Sequence, residues 1–414
     1  MTTIAPFVSS PSATLSDTLA ASADTALRLV CKQQDFARGL SIVSRAVLSQ
    51  STRPILSCIL LATDQGRLRI SATNLEIGIQ VWIDAQIEGE GMTVLPADLL
   101  TRMVSLMPKE AMTLSCAHGS QTLKMACAGS VSHIRSAQDP REFPAIPSIE
   151  REATASRVID AGLLKKMIEQ VAFAAEVGDP RPILTAVFTR IGAGTLTFAA
   201  AGPYRLAERI APLPGAGNPL APILIPARNL AELARILPGS GEVTIAVTPQ
   251  CNQVVFHCEE GERIEFASRL LAGNYIPYEQ GIPKAFTTRA TLETRQFAAA
   301  IERAALFASD TYHTARVTLR PPGESVPSGT ITVESEDADM GDHVSVVKAE
   351  VTGLERQIIF PVRMLSDALA RIETPQVVLS VNDPGKPAVL KPMSEVQYTS
   401  VVLTGLHQKK TGTA

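Results

Sequence analysis

The chain has 414 residues, 45% of them hydrophobic, 19% charged and 4% aromatic, with a formal net charge of −3. That length and composition fit a protein of roughly two to four cores. A slightly acidic whole excludes nucleic-acid binding through bulk charge, though not through a local basic surface, and so few aromatics argue against stacking platforms for single-stranded bases.

Residues 1–25 are rich in Ser, Thr and Ala and are expected to form a disordered extension. They carry no Lys or Arg and no continuous apolar core, so they do not read as a signal peptide. A first unit is expected over 26–150. Its opening helix places Phe36, Leu40, Val43 and Val47 on one stripe at about 100° per residue, with Arg38 and Arg45 off that stripe. Arg53-Pro54-Ile55-Leu56 follows and reads as the start of a core strand. Leu68-Arg69-Ile70-Ser71 then alternates with a strand period. Pro96 opens a second helix, where its missing N–H costs nothing, and that helix is expected to carry Arg102 and Lys109. Pro144, Pro147 and the polar stretch 150–156 mark a linker.

A second unit over 157–284 repeats the pattern. Leu164, Ile168, Val171 and Ala175 form the stripe, and Lys165 and Lys166 lie off it. Arg181-Pro182-Ile183-Leu184 restates the tetrapeptide, and Pro226 opens a helix with Arg228 and Arg235. In a third unit over 285–407 the stripe is Phe297, Ile301, Ala304 and Ala308, with Arg295 and Arg303 beside it. Arg316-Val317-Thr318-Leu319 reads as a decayed third tetrapeptide, and Pro361 opens a helix with Arg363 and Arg371. Residues 408–414 form a polar tail. A period of about 130 residues is the signature of a repeated structural unit. Each unit holds two helices and several antiparallel strands, an α+β arrangement with helices on one face of a sheet.

Exposed helices often carry Lys and Arg merely for solvation. Here every expected helix has a basic residue off its core stripe while the whole chain is acidic, which points to a surface facing a polyanion. Chemistry is not signalled. The acidic cluster Glu334, Glu336, Asp337, Asp339 and Asp342 lacks the glycine spacing of a calcium loop. Gly192-Ala193-Gly194 and Gly215-Ala216-Gly217 lack the strand-to-helix setting of a phosphate loop. The six cysteines show no Cys-x-x-Cys pair and read as free thiols in a reducing compartment, the cytoplasm. No catalytic residue, cofactor or metal is expected, and no apolar run reaches the length of a membrane span.

Five stretches, in this order and spacing, resemble the bacterial DNA polymerase III β subunits, the β sliding clamps: Arg53–Leu56, Ala72-Thr73-Asn74-Leu75-Glu76, Tyr204-Arg205-Leu206-Ala207, Gly273–Tyr278 with Pro283-Lys284, and Tyr398–Leu403. The resemblance spans about 28–405. It implies the DNA clamp fold, three tandem repeats per chain, and two chains closed head to tail as a homodimeric ring. It also implies a non-catalytic processivity factor that encircles double-stranded DNA without reading sequence. The implied partners are the replicative DNA polymerase, a clamp loader and other proteins bearing a clamp-binding motif. Carried over by position, the motif pocket comprises Leu184, Ala201, Arg205, Leu206, Ile276, Gly281, Val401, Val402 and Leu403. The twelve basic residues named above become the DNA-facing set. The dimer contact is expected to set Leu306 and Phe307 against His133, Ile134 and Arg135. The chain departs from the family pattern at Ala201-Gly202-Pro203 and after Leu403. An accessory, regulatory clamp-fold paralogue is the alternative reading.

Overall fold

The structure is a computed structural model that describes residues 27–405, apart from 118, 150–155, 179, 214–218, 309–312, 324–327 and 338. The expected N-terminal extension, most of the linker and the polar tail lie outside the described residues. One ten-element order occurs three times. The first copy is β1 (Leu27–Lys32), α1 (Gln33–Val43), β2 (Cys58–Asp64), β3 (Arg67–Thr73), β4 (Ile77–Gly89), β5 (Met92–Pro96), α2 (Ala97–Leu106), β6 (Ala111–Cys116), β7 (Thr122–Cys127) and β8 (Ser130–Arg135). The second is β9 (Ser156–Asp160), α3 (Ala161–Val171), β10 (Ala186–Ile191), β11 (Thr195–Ala201), β12 (Arg205–Pro212), β13 (Ile223–Pro226), α4 (Ala227–Ile236), β14 (Glu242–Val247), β15 (Gln253–Cys258) and β16 (Arg263–Arg269). The third is β17 (Thr288–Glu293), α5 (Thr294–Ala305), β18 (Thr314–Arg320), β19 (Thr330–Asp337), β20 (Gly341–Gly353), β21 (Arg356–Pro361), α6 (Val362–Leu369), β22 (Gln376–Val381), β23 (Pro387–Pro392) and β24 (Tyr398–Leu403).

The helix stripes are buried as the periodicity requires. Phe36, Leu40 and Val43 are fully buried on α1, Leu164, Ile168 and Val171 on α3, and Phe297, Ile301 and Ala304 on α5. Burying each large apolar side chain contributes about 1.5–3 kcal/mol, so this stripe, not helix propensity, holds these short helices. Gly39 marks a close approach: a Cβ there would lie 2.7 Å from Ile70 Cδ1. Val47 falls outside α1, because residues 44–46 tighten into a 3₁₀ turn that buries Ala46 instead. Pro96 and Pro361 cap their helices as the last residues of β5 and β21, rather than sitting in the first turn.

Arg53–Leu56 and Arg181–Leu184 do not begin strands. Pro54 and Pro182 each start a single 3₁₀ turn, Pro54–Ser57 and Pro182–Thr185, which buries Leu56 and Leu184. Proline's fixed φ suits that first position. The third tetrapeptide is misaligned. Cys58 pairs with Pro96, Ala186 with Pro226 and Thr314 with Pro361, so Arg316–Leu319 lies within the strand itself. The true counterpart is 309–312, outside the described residues.

The chain divides into two compact units, 1–165 with 232–270, and 166–231 with 271–414. Each contains one twelve-stranded sheet. In the first, the order is β8-β7-β6-β1-β4-β16-β15-β14-β9, with β2, β3 and β5 attached beside β4. In the second, it is β13-β10-β11-β12-β24-β23-β22-β17-β20-β19-β18-β21. The middle repeat therefore gives strands to both sheets. Each sheet is made continuous by one antiparallel seam between repeats. Ile77–Trp82 of β4 pairs with Arg263–Ser268 of β16, and Arg205–Arg209 of β12 pairs with Tyr398–Val402 of β24.

The first seam is closed by a polar cluster. Trp82 Nε1 donates to Asp64 at 2.8 Å, and the Arg263 guanidinium lies 4.3 Å from the Trp82 ring centroid. Arg263 and His257 both reach Glu265, whose side chain is buried. Removing a buried aromatic from a stripe leaves a cavity, so Phe36→Ala is expected to cost about 3–5 kcal/mol. Chemical denaturation followed by Trp82 fluorescence checks this, and an unchanged midpoint would contradict it.

Candidate functional site

Three features stand apart from core packing: the basic residues of the helices, an aromatic-backed groove in the second unit, and open strand edges, β8 and the first half of β20 among them.

The helical basic residues are less uniform than the sequence implies. Arg38, Arg102, Arg228, Arg235, Arg295, Arg303 and Arg363 are exposed on their helices. Lys109 lies beyond the end of α2 and Arg371 beyond the end of α6, while Arg45 sits in the 3₁₀ turn after α1. Several are tied to carboxylates. Arg38 pairs with Glu262 at 3.2 Å, Arg45 with Glu232 at 3.1 Å, Arg102 with Asp98 at 3.4 Å and Lys166 with Glu373 at 2.5 Å. Arg235 also pairs with Glu232. Burial raises the Glu262 carboxyl, and the nearby Arg38 charge opposes that shift. Arg371 is drawn inward, its guanidinium 5.6 Å from the Phe173 ring centroid, and its carbonyl accepts from Gln170. Arg303 donates to Ser345 Oγ on β20. The result is a sparse positive field, with carboxylates interleaved among the cations.

The expected pocket residues divide between two faces of one seam. Leu206 pairs with Val401 and Arg205 with Val402, so neighbouring pairs point oppositely. On one face Ala201, Leu206 and Val401 join Ala199, Val389 and Tyr278, with Phe188, Tyr275, Ile282 and Phe286 packed against them. Gly281 borders this face, and an added Cβ would meet only Leu206 Cδ1, at 3.8 Å. Ile276, Tyr204 and Met393 are exposed. On the other face Arg205 reaches Asp367 of α6 at 3.2 Å and lies 5.7 Å from the Phe173 ring centroid. Val402 is fully buried, and Leu184 is buried in its 3₁₀ turn. Arg205 and Val402 therefore turn away from the face that holds Leu206 and Val401, while Leu184 is buried as Ala201, Leu206 and Val401 are. A strand alternates its side chains, so consecutive residues cannot all line one groove.

The sequence reading missed the aromatic backing. Phe188 stacks on Tyr275 with centroids 5.6 Å apart and meets Tyr278 at the same distance, tilted. The Ala201 N–H donates to Tyr275 Oη at 2.9 Å, and Tyr278 Oη donates to Glu208 at 2.8 Å. Burial pushes the Tyr275 phenol up to about 12, against the Ala201 N–H, which lowers it. Burial first, then Glu208, raises Tyr278 further. Its signal in the sequence is Gly273–Tyr278 itself, where Tyr275 and Tyr278 flank Ile276. Among the departures, Gly202 closes a tight turn by donating to the Arg205 carbonyl at 2.8 Å.

Among the described residues, β8 pairs only with β7, and Gly341–Val346 of β20 pairs only with β19. Val131, Val344, Val346 and Leu306 are exposed near these edges. Of the expected dimer contacts, Leu306, His133 and Arg135 are exposed, but Ile134 is buried in its own sheet. Phe307 stacks on His343 of the same chain, with ring centroids 5.8 Å apart and 9° between planes. In the acidic cluster Asp337 accepts from the N–H groups of Asp339 and Met340, so it shapes a turn. No group of three or more potential metal ligands occurs among the described residues. All six cysteines are free, and only Cys251 is exposed. No helix is long and apolar enough to cross a membrane.

Comparison with known proteins covers all three repeats. Residues 27–147 match the N-terminal domain, 158–277 the central domain and 279–405 the C-terminal domain of the DNA polymerase III beta subunit. A beta sliding clamp from Synechocystis is 30% identical over 396 residues, covering 91% of this chain and 98% of the relative. A second, from Synechococcus elongatus, is 31% identical with the same coverage. The crystal structure of the Bacillus subtilis DNA polymerase sliding clamp superposes with a TM-score of 0.85 at 25% identity, covering 92% of this chain and all of the other.

Tyr275 links the groove to pH. Its folded pKa is raised, so its contribution to stability is complete below about pH 10 and is lost as pH rises towards 12. Tyr275→Phe is expected to make alkaline destabilisation shallower over that window, measured by urea midpoints at stepped pH. An unchanged slope would contradict the assignment.

Proposed function

The chain belongs to the DNA polymerase III beta subunit family, and from that membership we propose that it is a processivity clamp, two copies closed head to tail around double-stranded DNA. It is a non-catalytic subunit that acts by tethering. The observation that carries this reading is the threefold ten-element repeat, matched to the family's domains from residue 27 to 405. A tethered polymerase rebinds before it diffuses away, because the ring converts rebinding into an intramolecular event at high effective concentration.

The helix electrostatics support the DNA-facing assignment. A sliding ring needs attraction to phosphates everywhere and sequence-reading contacts nowhere. Basic residues partly neutralised by Glu232, Glu262, Asp98 and Glu373 give a shallow attraction of that kind. Lys109, Lys165, Arg295 and Arg363 make no ion pair among the described residues, and they are the strongest candidates for phosphate contact. The apolar face around Leu206, Val401 and Gly281 is proposed to take the short motif of the polymerase, and in turn that of the loader and other partners. It has an apolar floor, an aromatic backing and an exposed rim at Ile276, Tyr204 and Met393.

Three outcomes test this function. The native protein is expected near twice 44.1 kDa by light scattering, and a monomer at micromolar concentration would contradict the ring. Leu206→Ala is expected to weaken binding of a clamp-binding-motif peptide about tenfold or more by calorimetry. Val402→Ala should instead lower stability with little change in affinity; the reverse ranking would overturn the choice of face. Arg295→Glu with Arg363→Glu should shorten the products of clamp-dependent synthesis and flatten their dependence on salt, because each lost phosphate contact removes about one unit of slope.

A further inference from the structure

We propose that the first unit holds a second ligand cleft, at the β4–β16 seam, which takes a phenol ring and hydrogen-bonds its hydroxyl. It is a different site from the groove of the β12–β24 seam, and it does not rest on ring closure or on DNA.

The strand registers show which residues of the two seams correspond. Leu60 pairs with Ser71 and Ser71 with Gln80, as Phe188 pairs with Ala199 and Ala199 with Glu208. Leu60, Ser71 and Gln80 therefore hold the places of Phe188, Ala199 and Glu208. Thr73 pairs with Gly78 as Ala201 pairs with Leu206, so Gly78 holds the place of Leu206. The segments that follow each repeat correspond as well. Phe143 joins Leu60 in one apolar cluster, as Tyr275 stacks on Phe188. Ile146 stands three residues after Phe143, and Tyr278 three after Tyr275.

One seam fills this space from its own chain and the other leaves it open. In the second unit Tyr278 packs with Leu206, and its Oη donates to Glu208 at 2.8 Å. In the first unit glycine replaces that leucine, and Ile146 sinks onto it. A Cβ on Gly78 would lie 2.7 Å from Ile146 Cγ2. Isoleucine has neither ring nor hydroxyl to offer Gln80. A cleft of about 70 Å³ remains between residues 143–148 and the sheet, lined by Leu60, Ser71, Gln80 and Trp82. A single water needs roughly 10–15 Å³ of such space, so the cleft has room for a ring. Ser148 Oγ donates to Glu265 at 3.3 Å and holds the covering segment to the seam.

The lining chemistry selects a phenol. Ser71 is 1% exposed, and its Oγ has no hydrogen-bond partner among the described residues. Gln80 is 5% exposed and offers both an amide acceptor and an amide donor. A buried polar group without a partner is costly, so an incoming hydroxyl that reaches Ser71 and Gln80 is favoured. Two guanidinium groups line the same cleft, Arg69 and Arg263, the second 4.3 Å from the Trp82 ring centroid. Guanidinium planes favour aromatic faces over aliphatic groups. Asp64 lies 3.2 Å from Arg69 and Glu265 lies 3.4 Å from Arg263, so the positive charge is already balanced. That balance favours a neutral phenol over a carboxylate or a phosphate. The ring can belong to a free phenol or to a tyrosine side chain of a peptide.

Trp82 is the only tryptophan of the chain and lines the cleft, so its fluorescence reports binding in the full-length protein. Titration with 4-methylphenol is expected to change that signal saturably, with half-saturation at about a millimolar, as so few atoms allow. 4-Methylanisole lacks the O–H donor and should bind at least about tenfold more weakly. Ser71→Ala copies Ala199 of the second unit and should weaken 4-methylphenol about fivefold. Ile146→Tyr carries a phenol on the chain itself and should abolish the saturable change. N-Acetyltyrosinamide separates the two sources. Affinity at or above that of 4-methylphenol assigns the cleft to a peptide tyrosine, and weaker affinity assigns it to a free phenol. Linear quenching without saturation, equal affinity for 4-methylanisole, or a folded Ser71→Ala protein that binds as before overturns the proposal.

Discussion

Antiparallel pairing between strands of different repeats is the interaction on which this molecule depends. An edge strand presents a row of unpaired N–H and C=O groups, and leaving them bare invites unwanted association. The chain meets this twice within itself, by laying β16 on β4 and β24 on β12. Two twelve-stranded sheets result, and the middle repeat belongs to both. The units that fold compactly are consequently not the units that repeat. Among the described residues, β8 and the first half of β20 are each left with one neighbour.

The seams also organise the functional surfaces. The β12–β24 seam brings Leu206 beside Val401 and backs them with Phe188, Tyr275 and Tyr278. Its other face anchors Arg205 to Asp367 and buries Val402. The apolar groove proposed for partner motifs and the structural core are thus two sides of one strand pair. The helices serve a different purpose. Their apolar stripes hold them to the sheets, and their outward residues mix Arg and Lys with Glu and Asp. Interleaving both signs keeps the field weak and smooth, which fits the proposed sliding along phosphates.

Much of the architecture was legible in the sequence because it is written locally. The stripe Phe297, Ile301 and Ala304 has helical spacing, and the prolines before α2, α4 and α6 sit at strand-to-helix junctions. Other features were hidden because they depend on partners far along the chain. Nothing near Gln80 announces that Glu265 lies opposite. The tetrapeptide of Arg53–Leu56 looked like a strand because Ile and Leu favour strands, but Pro54 suits the 3₁₀ turn that forms. At the groove, position in sequence selected Val401, Val402 and Leu403 together, whereas strand alternation separates them. Arg45 read as a free cation until tertiary structure placed it against Glu232.

The central claim is that two copies close into a ring that holds DNA topologically rather than by affinity. The most direct measurement is retention of the loaded protein on nicked circular DNA at high salt, before and after the circle is cut once. Retention on the circle and prompt release on linearisation is the predicted result. Equal retention on both forms, or none on either, would contradict it.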